Sequence, residues 1–154
     1  MIHLPAFFKR NKRNDCGAVA LTTIAWHHGI SIKVQQVRDL LSSDGNGSNL
    51  YALLTTANTL GFKSKGVKGS YAALDNIPLH AIAHMIMDDL GHFVVLHGWK
   101  PNFVIISDRG AGVRRVTREK FCEHRTGYIL IAIPDGILNK KYTHLDELVE
   151  VECR

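Results

Sequence analysis

Cysteine is scarce in this chain: three residues, at 16, 122 and 153, an odd number with no Cys-x-x-Cys pair. That count argues against a disulfide framework or a cysteine-only zinc site, and it points to a reducing compartment. Long apolar runs are also lacking. No stretch approaches the roughly 18 to 20 residues that a helix needs to cross a bilayer. Residues 1–8 are too short and too polar for a secretory signal. The expected molecule is soluble and cytosolic. The sequence has no HExxH motif, no RRM, KH or helix-turn-helix signature, and no internal repeat. Metal binding is not expected. Of His80, His84, His92 and His97, the first two share a face of an extended chain and the last two point to opposite faces. Nucleic acid is not an expected partner either, because few aromatics are interleaved with the basic residues.

Basic charge is present but uneven. The net charge is +5, with clusters at Lys9, Arg10, Lys12 and Arg13, at Lys63, Lys65 and Lys68, and at Arg109, Arg114, Arg115, Arg118 and Lys120. A length of 154 residues, with 45% apolar and 21% charged residues, suits one globular domain with a core of its own. Helical spacing governs the first sixty or so residues. Val19, Ala20, Thr23 and Ile24 stand three and four apart, and His27-His28-Gly29 reads as a helix stop. Val34, Val37, Leu40 and Leu41 mark a second helix. Leu50, Leu53, Leu54 and Ala57 mark a third, capped by Ser48 or Asn49 and closed by Gly61. The second half changes period. Strands are expected at 62–68, 79–87, 91–99, 103–107, 113–116 and 128–133, with a helical turn at 71–76 and a short helix from Thr117 to His124. Helices first and antiparallel strands afterwards read as α+β. Residues 135–154 are more polar and less periodic, so the folded domain is expected over 1–134 and a tail or linker over 135–154.

Three residues draw attention for their chemistry. Asn14 and Asp15 are good N-cap residues, which places Cys16 in the first turn of a helix. Unpaired N–H groups and the positive end of the helix dipole favour a sulfur anion there, and Gly17 does not crowd it. His92 opens the strand His92-Phe93-Val94-Val95-Leu96, and Asp108 follows the strand Phe103-Val104-Ile105-Ile106-Ser107. If these strands pair around Pro101-Asn102, His92 and Asp108 fall near the same open end, as antiparallel neighbours. An Asp beside a His fixes its orientation, and the His can then exchange a proton with a thiol. Judged without Cys16, the pair would equally suit a structural hydrogen bond. Cys122 reads as a packing residue and Cys153 as incidental.

The order of these motifs resembles a known family. Asp15-Cys16-Gly17, then Gly91-His92-Phe93-Val94-Val95-Leu96, then Ile106-Ser107-Asp108-Arg109-Gly110-Ala111-Gly112, then Thr126-Gly127-Tyr128 and Pro134 follow one another. Gly47-Ser48-Asn49-Leu50 and Leu60-Gly61-Phe62 add to the likeness. Together, over about residues 8–134, they resemble the double-glycine leader peptidase, the papain-like cysteine protease domain of bacteriocin-processing ABC transporters. The resemblance implies a papain-like α+β fold, with Cys16 as nucleophile, His92 as general base and Asp108 as orienting residue. It implies no cofactor. It implies cleavage of precursor peptides after a Gly-Gly or Gly-Ala pair as the cargo is exported. The implied partners are a precursor with a double-glycine leader and the membrane and ATPase domains of a transporter. The implied place is the cytosolic face of the bacterial membrane, peripheral to it through the transporter. Two positions depart from the family pattern. Arg10 stands where the family usually has the Gln whose amide helps form the oxyanion hole, with Asn11 adjacent, and Arg109 stands where a Pro usually follows the Asp. Arg10 or Asn11 is the expected substitute donor. Two function classes remain open: a working cysteine endopeptidase, or a catalytically impaired leader-binding domain of an exporter, with Arg10 as the lesion.

Overall fold

Four helices precede, interrupt and cover a seven-stranded antiparallel sheet in the computed structural model, which describes residues 15–42, 49–108, 112–134 and 149–150. The helices are α1 (Asp15–His27), α2 (Val34–Ser42), α3 (Leu50–Thr59) and α4 (Arg118–His124). The strands are β1 (Phe62–Lys68), β2 (Ala81–Met87), β3 (Leu90–Lys100), β4 (Phe103–Asp108), β5 (Gly112–Thr117), β6 (Arg125–Pro134) and β7 (Val149–Glu150). Their order across the sheet is β5-β4-β3-β2-β6-β1-β7. The α+β reading holds.

Local chemistry accounts for the helix ends. The Asn49 side chain accepts from the Ala52 N–H at 2.7 Å and so caps α3, and the Thr117 hydroxyl accepts from the Lys120 N–H at 3.2 Å to cap α4. Gly29, with φ of 78°, supplies the left-handed residue after α1. Asp15 departs from the capping role expected of it. It lies inside α1, is buried, and its Oδ1 accepts from Arg38 Nε of α2 at 2.8 Å. The ion pair therefore ties the first turn of α1 to its neighbour.

Two apolar layers enclose the sheet. On one face α1, α2 and α3 bury Leu21, Ile24, Val37 and Leu53 against Ile82, Phe93, Val95 and Leu130. On the other, Leu74, Phe121 and Tyr71 pack on Ala83, Val94, Leu96, Ile106 and Ile131. The short α4 contributes Phe121 to this second layer, while Cys122 beside it is exposed. Cys122 is thus not the packing residue that the sequence suggested. Within 135–154 the described residues Val149 and Glu150 pair with Lys68 and Val67 at the edge of β1.

The pairing of β3 with β4 breaks register at one point. Near their turn the strands pair Lys100 with Phe103 and Gly98 with Ile105, but farther on Leu96 pairs with Ile106 and Val95 with Ser107. His97 is the extra residue of a β-bulge. One added residue exchanges the faces of everything beyond it. Continued by one step, this register sets Asp108 opposite Val94, two residues from His92 and in phase with it. Without the bulge, Asp108 and His92 would leave opposite faces.

Candidate active site

Three elements converge on one cluster. Cys16 is the second residue of α1 and is only 2% exposed. His92 is the third residue of β3, opposite Met85 of β2, directly after a hairpin turn at Asp88 and Asp89. Asp108 ends β4. His92 Nε2 stands 3.9 Å from Asp108 Oδ2, an ion-pair contact across a diagonal of the sheet rather than between directly opposed residues. The structure thus brings together all three residues singled out in the sequence. Arg10 and Asn11 lie outside the described residues, as does Arg109.

The charges of the cluster support one another. His92 is pushed up to about 9, by the Asp108 side chain first and by Cys16 second, against the opposing effect of burial. Burial raises Asp108, but His92 and Arg114 outweigh it and hold the carboxyl below its ordinary value. Arg114 of β5 donates from Nη2 to the same Oδ2 at 3.2 Å. At neutral pH the cluster therefore carries an imidazolium between a carboxylate and the Cys16 sulfur. A cation beside a sulfur stabilises its thiolate, the reactive form.

Sequence reasoning missed two supporting residues. Arg114 was read only as part of a basic cluster, and nothing local ties it to Asp108 six residues earlier. His84 was grouped with His80, but the structure sets it beside His92. The Thr126 hydroxyl donates to the His84 carbonyl at 3.2 Å, so His84 Nδ1, 3.1 Å from that hydroxyl, is the donor in their contact. Nε2 then carries the lone pair. A Cβ added at Gly91 would stand 3.2 Å from that Nε2, which gives the glycine before His92 a steric reason. Burial first and the neighbouring His92 second lower His84, which favours its neutral form.

Comparison with known proteins agrees with this geometry. The sequence matches the Peptidase C39 family over residues 6–136. It is similar to the lactococcin-G-processing and transport ATP-binding protein LagD of Lactococcus lactis subsp. lactis, at 29% identity over 137 residues, 87% of this chain and 20% of that protein. It is also similar to the mesentericin-Y105 transport/processing ATP-binding protein MesD of Leuconostoc mesenteroides, at 27% identity over 146 residues, 88% of this chain and 20% of that protein. The chain thus spans about one fifth of the length of these relatives. A crystal structure of a double glycine motif protease from an AMS/PCAT transporter, in complex with the leader peptide, superposes with a TM-score of 0.72 at 26% identity, covering 87% of this chain and 89% of that one. The peptidase domain of Streptococcus ComA, a bi-functional ABC transporter involved in a quorum sensing pathway, superposes with a TM-score of 0.73 at 27% identity, covering 79% and 93%.

Proposed function

The chain belongs to the Peptidase C39 family, and on that premise we propose that it is a cysteine endopeptidase. Its reaction would remove leader peptides from precursors after a Gly-Gly or Gly-Ala pair. Cys16 is the nucleophile, His92 the proton carrier and Asp108 the orienting residue. The observation that carries this reading is the His92 imidazole held between Asp108 and Cys16 and kept protonated by both.

Chemistry follows from that arrangement. With Nε2 turned to the carboxylate, Nδ1 is the ring nitrogen left to serve Cys16. The Cys16 sulfur attacks the carbonyl carbon of the second glycine. The tetrahedral oxyanion takes a hydrogen bond from the Cys16 backbone N–H at the start of α1, and a second from Arg10 or Asn11. His92 gives its proton to the leaving amine, which frees the cargo and leaves the leader as a thioester on Cys16. His92, now neutral, takes a proton from water. The hydroxide carbon–oxygen bond forms as the thioester bond breaks, and the leader departs with a terminal carboxylate. Asp108 stays ionised throughout, and Arg114 helps to keep it so.

Partners and place are part of the same proposal. The substrate is a precursor with a double-glycine leader, delivered at the cytosolic face of a membrane where transporter membrane and ATPase domains act with the peptidase. Among the described residues no helix is long and apolar enough to cross a membrane.

The test is direct. A synthetic precursor with a Gly-Gly leader, incubated with the protein, should yield two fragments cut after the second glycine, read by mass spectrometry. Cys16→Ala should lower turnover by at least about 1,000-fold while leader binding survives, because nucleophile and base act as one unit. Normal turnover in Cys16→Ala would end the peptidase reading. An inert parent that gains activity with Arg10→Gln would favour the leader-binding alternative.

A further inference from the structure

A second histidine cluster lies far from Cys16. His27 ends α1, His80 immediately precedes β2, and His97 is the bulge residue of β3. One ligand nitrogen from each lies within 4.8 Å of the others. The His27 and His80 rings are stacked at 3.8 Å, and His97 meets them edge-on at 5.3 and 4.9 Å. His27 and Cys16 are eleven positions apart on α1, so the cluster sits about 16 Å from the thiol along the helix axis. The proposed hydrolysis uses none of these rings.

We propose that His27, His80 and His97 form a binding site for a divalent transition-metal ion, with zinc as the ion that three imidazoles and an open fourth position suit best.

Geometry carries this assignment. Nitrogens about 2.1 Å from a tetrahedral zinc stand about 3.4 Å apart. From 4.8 Å, the ligand nitrogens need to close by only about 1 Å each to reach that spacing, together with a turn of one stacked ring. His27 is exposed on the last turn of α1 and can make the larger adjustment, turning out of its stack on His80 so that both lone pairs meet one point. His80 and His97 are partly covered and hold the site's shape. His97 also has the outer partner typical of a metal ligand. Its Nε2 lies 2.7 Å from the Ser107 hydroxyl oxygen, which can accept the ring proton and would leave Nδ1 for the ion. The bulge is what makes His97 available: an inserted residue re-aims a side chain, and here it meets the end of α1. A bound ion would join the helix that carries Cys16 to the strand that carries His92.

The experiment uses untagged protein stripped with a chelator and titrated with zinc chloride alone in a calorimeter. One ion per chain is expected, with a Kd of about 10 µM or tighter. His27→Ala and His97→Ala should each weaken binding at least about 10-fold, and Cys16→Ala should not change it. Zinc should also raise the Tm of the parent but not of His27→Ala. Cobalt in place of zinc should give ligand-field bands without sulfur charge-transfer absorption. His27 is exposed, so its replacement leaves the fold intact and decides the matter if His97→Ala folds poorly. The proposal is overturned if no saturable binding occurs, or if binding survives His27→Ala. It is overturned equally if binding disappears in Cys16→Ala, which would assign the ion to Cys16 and His92. Because none of these measurements reads cleavage, failure here leaves the peptidase reading standing.

Discussion

At the scale of single residues, His92 sets the charge of the site. Its folded value of about 9 lies above the ordinary 6.5, so folding strengthens its hold on a proton. The stabilisation that this brings is complete below about pH 6.5 and is lost as pH rises through about 9. In the proposed reaction the protonated ring is also the one that gives its proton to the leaving amine. The kcat/KM profile should therefore fall on an alkaline limb near pH 9. Asp108 is the largest source of that shift, so Asp108→Asn should lower turnover and move the limb to lower pH. A limb that stays in place would remove Asp108 from the role given to it. Arg10 and Asn11 are tested by their alanine variants: one of the two should lose about 100- to 1,000-fold in turnover, with little change in leader affinity. Equal activity in both variants and the parent would mean that neither side chain donates to the oxyanion. Cys16, His92 and Asp108 were legible in the sequence because each stands at the end of a regular element, where glycines and caps mark the boundary. Arg38 and Arg114 were not, since a charge's partner is set by packing across elements, and local spacing carries no trace of it.

At the scale of elements, the β2–β3 hairpin positions His92. Its turn residues Asp88 and Asp89 both have positive φ, 52° and 62°, the conformation of a two-residue turn that matches strand twist. Aspartate tolerates this region at a cost that Asn-Gly avoids. Asp88→Asn combined with Asp89→Gly should raise stability by about 1 kcal/mol, read as a higher urea midpoint at unchanged slope. A lower midpoint would show that the aspartates make contacts which outweigh the backbone gain. The helices and strands themselves were largely legible, since capping residues and the change from helical to alternating spacing bound them closely. The bulge was not. His97-Gly98 interrupts the apolar run, and a glycine inside a strand is a hint of a bulge, but only the pairing partner on β4 shows which residue is in excess. The sequence reading set His92 and Asp108 near the same open end as antiparallel neighbours, and the bulge makes them diagonal neighbours on one face. For the same reason His27, His80 and His97 could not be grouped in advance: they come from a helix end, a loop and a bulge.

At the scale of the whole molecule, β6 holds the sheet together. It pairs with β2 on one side and β1 on the other. Leu130 at its middle is fully buried under the helical layer. Leu130→Ala should cost about 3 kcal/mol, within the range for cavities that surrounding side chains cannot fill. Loss of much less in urea unfolding would mean that α1 and α3 settle into the space. The strand order has a temporal side as well. A chain leaving the ribosome has made all four helices and β1 to β5 before β6 exists. Until β6 arrives, β2 presents an open edge and β1 has no strand to join it to the hairpins that carry His92 and Asp108. Long-range pairings of this kind form slowly, and an open edge in the interim is an invitation to chaperones and to other nascent chains. Assembly of the cluster around His92 and Asp108 would thus lag synthesis until the last central strand is in place.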